Sequence, residues 1–294
     1  MKYIIQLITL ITLVCSANIA IARGGKPPPA PEPGLLNVVT VSPQYGDYTS
    51  PVEAINSITN ANAENRYLLV VGPGVYEVST ALVMKEWVTI QGAGQESTVI
   101  TGAISSESAD ETSAIVKGQN NAAITDLSIE NRGGNVFSIA IFNSDASPRI
   151  ERVTAEAFGA YQYATGILNE IDSSPVMTNV SASGLGTTST TQNYGVYNVS
   201  GSSPTMVNVN ANASGAAGAN PGIFIGGAAP FIIDSVLDGT PGLALEADYS
   251  DSRIVNNKII GGVGSAWLAV TPTAGSVCRG NYDENLVDVN CPTP

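Results

Sequence analysis

Residues 140–159 read AIFNSDASPRIERVTAEAFG, residues 166–184 GILNEIDSSPVMTNVSASG, residues 195–215 GVYNVSGSSPTMVNVNANASG and residues 222–239 GIFIGGAAPFIIDSVLDG. Each stretch opens on a small residue and an aliphatic one. A variable residue follows, usually then Asn, and a turn that ends in Pro. An apolar-x-x-apolar strand comes next. Followed along the chain, the first apolar residue of that strand recurs at Ile124, Ile150, Met177, Met206, Ile233 and Ile254, in steps of 26, 27, 29, 27 and 21 residues. The second recurs at Leu127, Val153, Val180, Val209 and Val236, and the opening strand at Ile115, Ile141, Ile167, Val196, Ile223 and Leu243.

A unit of this length with two or three short strands cannot bury its own apolar face, but stacked on its neighbours it can. The reading is all-β: a single-stranded right-handed parallel β-helix, one repeat to a turn. Strands of successive turns then lie about 4.8 Å apart, and every repeated position becomes a ladder of like side chains. Ile, Val and Met fill the interior. The leucine-and-asparagine consensus of leucine-rich repeats is missing, and a propeller blade needs about 40 residues. Asn143, Asn169 and Asn198 share one position and are expected to stack, their amides bonding along the column. Pro148, Pro175, Pro204 and Pro230 enter the following strand where no ladder N–H is needed.

Composition agrees. The 294 residues include 30 Gly and 24 Asn, and only 13% are charged. Such a chain suits short strands and tight turns better than long amphipathic helices. Histidine is absent, which removes Ser-His-Asp and Cys-His catalysis and His-bearing zinc sites. The net charge of −13 argues against a nucleic-acid partner, because phosphate binding needs a basic face.

The start, Met1-Lys2 with an apolar run from Ile4 to Val14 and then Ala20-Ile21-Ala22, has the parts of a signal peptide over residues 1–22. That implies export, to the periplasm or the exterior, and no membrane span once it is removed. Residues 23–36, rich in Pro, read as an extended linker, and residues 37–294 as the β-helix domain. In an oxidising compartment Cys278 and Cys291 are expected to form a disulfide.

Residues 38–102 contain a Val-Ser-Pro strand, Gly46-Asp47-Tyr48-Thr49, a helix around Glu53-Ala54-Ile55, an apolar strand Tyr67 to Val71, and Pro73-Gly74-Val75-Tyr76. Val88-Thr89-Ile90-Gln91-Gly92-Ala93-Gly94 and Thr98-Val99-Ile100-Thr101-Gly102 follow. This stretch resembles the opening turns of pectinesterases, within the pectin-lyase-like β-helix superfamily. The resemblance implies a short helix capping the N-terminal end of the solenoid. It also implies a catalytic set of two aspartates and an arginine, in a Gln-Asp-Thr-type segment, an Asp-Phe-Ile-Phe-Gly-type segment and an Arg beside a Trp. None is matched. Tyr161-Gln162-Tyr163 lacks the following Asp, and Phe231-Ile232-Ile233-Asp234 lies inside the repeat. No catalytic residue carries over.

Three constellations could carry a function. Phe142, Leu168, Tyr197 and Phe224 share the repeat position next to the inward Ile141, Ile167, Val196 and Ile223, so alternation sends them outward. Phe142, Tyr197 and Phe224, with Tyr161 and Tyr194 nearby, are candidate platforms for sugar rings or for a surface partner; the blander reading is that an irregular loop or the N-terminal segment covers the stripe. Asp145 and Asp172 precede turn prolines by three residues in adjacent turns and could share a calcium ion, although solvated turn aspartates are the simpler reading. Glu246, Asp248 and Asp251 near Tyr249 read as an acidic turn. The reading of function is an exported, non-catalytic scaffold that binds polysaccharide or a surface partner; the alternative is a divergent pectin-active enzyme, an esterase or lyase.

Overall fold

The repeats do lie over one another. A computed structural model describes residues 37–186, 191–239, 245–248, 251–261 and 277–289. The signal peptide and linker segments, Leu243, Tyr249 and Cys291 lie outside the described residues. All pairings between the strands are parallel. Described strands form a 14-stranded sheet and a 7-stranded sheet, a solenoid of about eight turns. The chain is a right-handed parallel β-helix.

The interior is the ladder of apolar side chains. Ile124, Ile150, Met177 and Met206 stand in register along the longer sheet, and each is fully buried. Ile141, Ile167, Val196 and Ile223 do the same in the shorter sheet. Three ladders differ from the sequence reading by one or two residues. Met206 pairs with Ile232, not Ile233, and Ile232 with Ile254. The rung after Val209 is Ser235, whose hydroxyl accepts from the Val209 amide at 3.0 Å, while Leu237 rather than Val236 is the fully buried residue. In the shorter sheet Val116, not Ile115, pairs with Ile141, and Ile223 pairs with Leu245.

In six successive coils the longer sheet turns a corner at one residue in the left-handed region. These are Asp126, Arg152, Asn179, Asn208, Asp234 and Asn256, with φ between 51° and 59°. Asn and Asp tolerate that conformation better than other residues with a Cβ. Arg152 is the exception. Its guanidinium pairs with Asp126 one turn below, Nε to Oδ1 at 2.5 Å, and holds the Asp126 carboxyl below its usual range.

Among the described residues the α-helix is Pro51–Ser57. Ser50 caps it by accepting from the Glu53 amide, and Pro51 takes the first turn, where no N–H is needed. Its buried residues Pro51, Ala54 and Ile55 face the first strands, Asn37–Val41 and Tyr67–Val71. The helix therefore covers apolar interior that would otherwise end in water. Lys85 closes its other end, donating to the carbonyls of Asn56 and Ile58.

Candidate functional site

The outer face of the 7-stranded sheet carries a second apolar cluster. Alternation along Phe137–Ser144, Tyr163–Glu170 and Gln192–Val199 puts Ile141, Ile167 and Val196 in the main core. Their neighbours Phe142 and Leu168 join Ala114 and Ile139 in a separate cluster, with Tyr197 packed on it. Lys117, Phe142, Leu168, Tyr197 and Phe224 are register partners in order. The stripe is therefore real and external, as alternation requires.

Its members are not equally accessible. Phe142 is 2% exposed, which corrects its reading as a platform for a sugar ring. Ala109, from the connecting segment before the strand Ala114–Lys117, packs on its cluster. Tyr197 and Phe224 are half-buried. Their rings stack with centroids 4.7 Å apart at 17°, and Tyr194 leans on Tyr197 at 4.5 Å and 54°. Tyr194 is itself buried. Its hydroxyl donates to Gln192 Oε1 at 2.5 Å. One turn over, Phe137 and Tyr163 stack at 4.9 Å and 15°. Rings in such columns turn their faces to one another and their edges outward. Tyr161 is well exposed but belongs to the loop before this column.

Between these columns lies a cleft of about 530 Å³. Phe137, Tyr163, Leu168, Tyr194 and Tyr197 line it together with Glu170. Its size is that of sites for small organic ligands. Sequence reading missed Glu170. The signal was present, because Glu170 is two residues after Leu168 and so on the same face. Burial raises the Glu170 carboxyl above its usual range. A hydrogen bond with Ser144 opposes the rise, and the charge of Asp110 adds to it. Among the described residues the lining contains no lysine or arginine. Lys117, at the foot of the stripe, is paired with Glu111 at 2.9 Å.

A second group, also missed, lies on the outer face of the 14-stranded sheet. Glu130 and Glu156 are register partners in adjacent turns. Burial raises the Glu156 carboxyl, the Glu130 charge raises it further, and Arg132 opposes both. Arg132 pairs with Glu130 at 2.6 Å and lies over the Phe158 ring at 5.1 Å.

The remaining candidates lie in the turns and at the C-terminal end. The Asp145 amide donates to the Ile171 carbonyl and the Asp172 amide to that of Ser200. In these parallel ladders an amide donates to the carbonyl one residue before its partner, so Asp145 lies beside Asp172 and the extra residue of the second turn is Ile171. Among the described residues no group of three or more metal-ligating side chains gathers. Cys278 is on the strand Val277–Arg279. No helix among them is long and apolar enough to cross a membrane.

No protein-family model and no curated protein sequence matches the chain. Solved structures do match. Rice weevil pectin methyl esterase superimposes with a TM-score of 0.53 at 13% identity, over 89% of this chain and 92% of that one. Carrot pectin methylesterase gives 0.54 at 15% identity, over 86% and 82%. ORF18 of Geobacillus virus E2 gives 0.55 at 14% identity, over 77% of this chain and 53% of that one. At such identities the likeness is one of fold. The protein has a right-handed parallel β-helix fold, similar to that of these pectin methylesterases.

Proposed function

We propose that the chain is an exported binding scaffold that holds polysaccharide in the cleft beside Tyr163, Tyr194 and Tyr197. The observation that carries this reading is the cleft itself: about 530 Å³ walled by aromatic side chains on an otherwise regular sheet. A single carboxylate among apolar walls suits binding better than hydrolysis, which in most glycosidases needs two acids across the scissile bond. The amino-terminal residues 1–22 supply export, and a surface partner could dock on the same face. Retention of the protein on immobilised polysaccharides is the test, compared with Tyr197→Ala. Full retention of the variant, or none of the intact protein, rejects the reading.

Glu130 and Glu156 support a second reading, a pectin-active or related hydrolytic enzyme. Two neighbouring carboxylates, one raised by burial and by the other's charge, with an arginine alongside, form an acid/base pair of the sort enzymes use. Methanol release from methylated pectin, by the intact protein and by Glu156→Gln, distinguishes it from the binding reading. Absence of release from the intact protein rejects the esterase.

A further inference from the structure

The cleft differs from the rest of the surface in the sign of what it can accept. Glu170 lines it, partly buried, with the Ser144 hydroxyl as a partner and the Asp110 charge pressing on it. Arg and Lys are missing from the described lining. The stripe's own lysine, Lys117, is already paired with Glu111. A uronate chain would bring carboxylates to a site whose described lining has no Lys or Arg to meet them, on a protein of net charge −13, and would be repelled. A ligand with an ammonium group would relieve Glu170 of an unpaired, partly desolvated charge, and its hydrogen bonds to the carboxylate would be charge-assisted. The aromatic walls add area for the apolar faces of a pyranose ring.

We infer that the cleft recognises an amino-sugar polysaccharide, a glucosamine-type chain with free amines, through Glu170. This rests on the binding reading above and narrows it. It sets the cleft apart from the uronate chemistry of the pectin methylesterases that share the fold. Glu170 receives the ammonium, and Tyr163 and Tyr197 bound the ring.

The test is calorimetric titration of the full chain with four soluble probes, at a pH where the amine is charged. The probes are a glucosamine oligomer, its N-acetylated form, an oligogalacturonate and an oligolysine. The expected order is glucosamine oligomer tightest, N-acetylated oligomer weaker, oligogalacturonate undetected. Glu170→Gln should weaken the glucosamine oligomer at least tenfold, about 1.4 kcal/mol, and leave the N-acetylated one unchanged. Glu64→Gln, an exposed carboxyl outside the cleft, should change neither. Equal affinity for the amine and its N-acetylated form, with Glu170→Gln silent, overturns the inference while sugar binding stands. Oligolysine bound as tightly as the amino sugar also overturns it, in favour of a basic peptide. If none of the saccharides binds, the binding reading falls as well.

Discussion

The side-chain amide of Asn143 donates to Asn169 Oδ1 at 2.8 Å, and that of Asn169 donates to Asn198 Oδ1 at the same distance. All three asparagines are fully buried. The column is a chain of buried amides, so each member depends on the next. Beneath it Gly118 gives the room it needs, because a Cβ there would stand 1.9 Å from Asn143 Oδ1. Above it Ile225 occupies the same rung and ends the column. Asn169→Ala removes two hydrogen bonds and strands a buried donor on Asn143 and a buried acceptor on Asn198. Each stranded group costs about 1–3 kcal/mol. Denaturant unfolding should show Asn169→Ala more destabilised than Asn143→Ala or Asn198→Ala, each of which strands fewer groups. Equal losses for the three would show that the amides do not act as a column.

A second close approach lies at Gly195. A Cβ there would meet Gly222 O at 2.5 Å, Asn212 N at 2.7 Å and Asn212 O at 2.9 Å, all of them backbone. Backbone atoms cannot rotate away as a side chain can, so the two sheets would have to part locally. Gly195→Ala should destabilise by about 1–3 kcal/mol through overpacking, despite the lower unfolded-state entropy of Ala. Gly227, which has open space around its Cβ position, has φ 61° and is the control for backbone strain without crowding. A midpoint for Gly195→Ala at or above that of the parent protein would contradict the crowding.

The fold was legible because the turns are nearly equal in length. Ile124, Ile150, Met177 and Met206 repeat at almost one period, and a ladder is the physical consequence of stacking equal coils. Legibility failed by one residue where the coil shortens. Between Phe231 and Leu237 the corner residue Asp234 is followed at once by buried Ser235, and a polar side chain in an apolar rung breaks the pattern that alignment follows. The outer stripe was legible from alternation, and a loop over it was foreseeable, but that the cover falls on Phe142 was not. It depends on Ala109, in a segment with no counterpart in the repeats. The face of Glu170 was legible from its spacing to Leu168, but its burial, like that of Glu156 beside Glu130, was not, for a related reason. Their meaning comes from neighbours about one turn away, and a single carboxylate in the sequence reads as solvated.

Cys278 and Cys291 give a prediction about the C-terminal end. We propose that they form a disulfide, closing a short loop. Such a loop stabilises by about 3 kcal/mol in the chain-entropy account. The protein, exported from an expressing cell, should lose two free thiols' worth of alkylation relative to its reduced form. Reduction should lower its melting temperature. Cys278→Ser with Cys291→Ser should be insensitive to reductant. Two alkylated thiols in the unreduced protein would refute the bridge.

The raised carboxyl of Glu170 has a consequence for stability whose sign is fixed. Burial favours the protonated form in the folded protein, whereas in the unfolded chain the group returns to its ordinary range near 4.3. Between the two values the folded state holds the extra proton, so stability falls as pH rises. The favourable contribution is complete below the unfolded value and is lost as pH passes through the raised one. Glu170→Gln, which keeps the shape and discards the charge, should therefore raise the melting temperature at pH 7. The gain should shrink as pH falls and vanish below about pH 4. Glu156→Gln should behave alike, since burial and the Glu130 charge raise that group too. Asp126→Asn should do the reverse, because Arg152 holds the Asp126 carboxyl low. Its loss should be largest at neutral pH and fade on acidification. Thermal melts of the three variants across pH 3–8 would sink the assignment of Glu170 as an unrelieved, desolvated charge if its variant followed the Asp126 pattern instead.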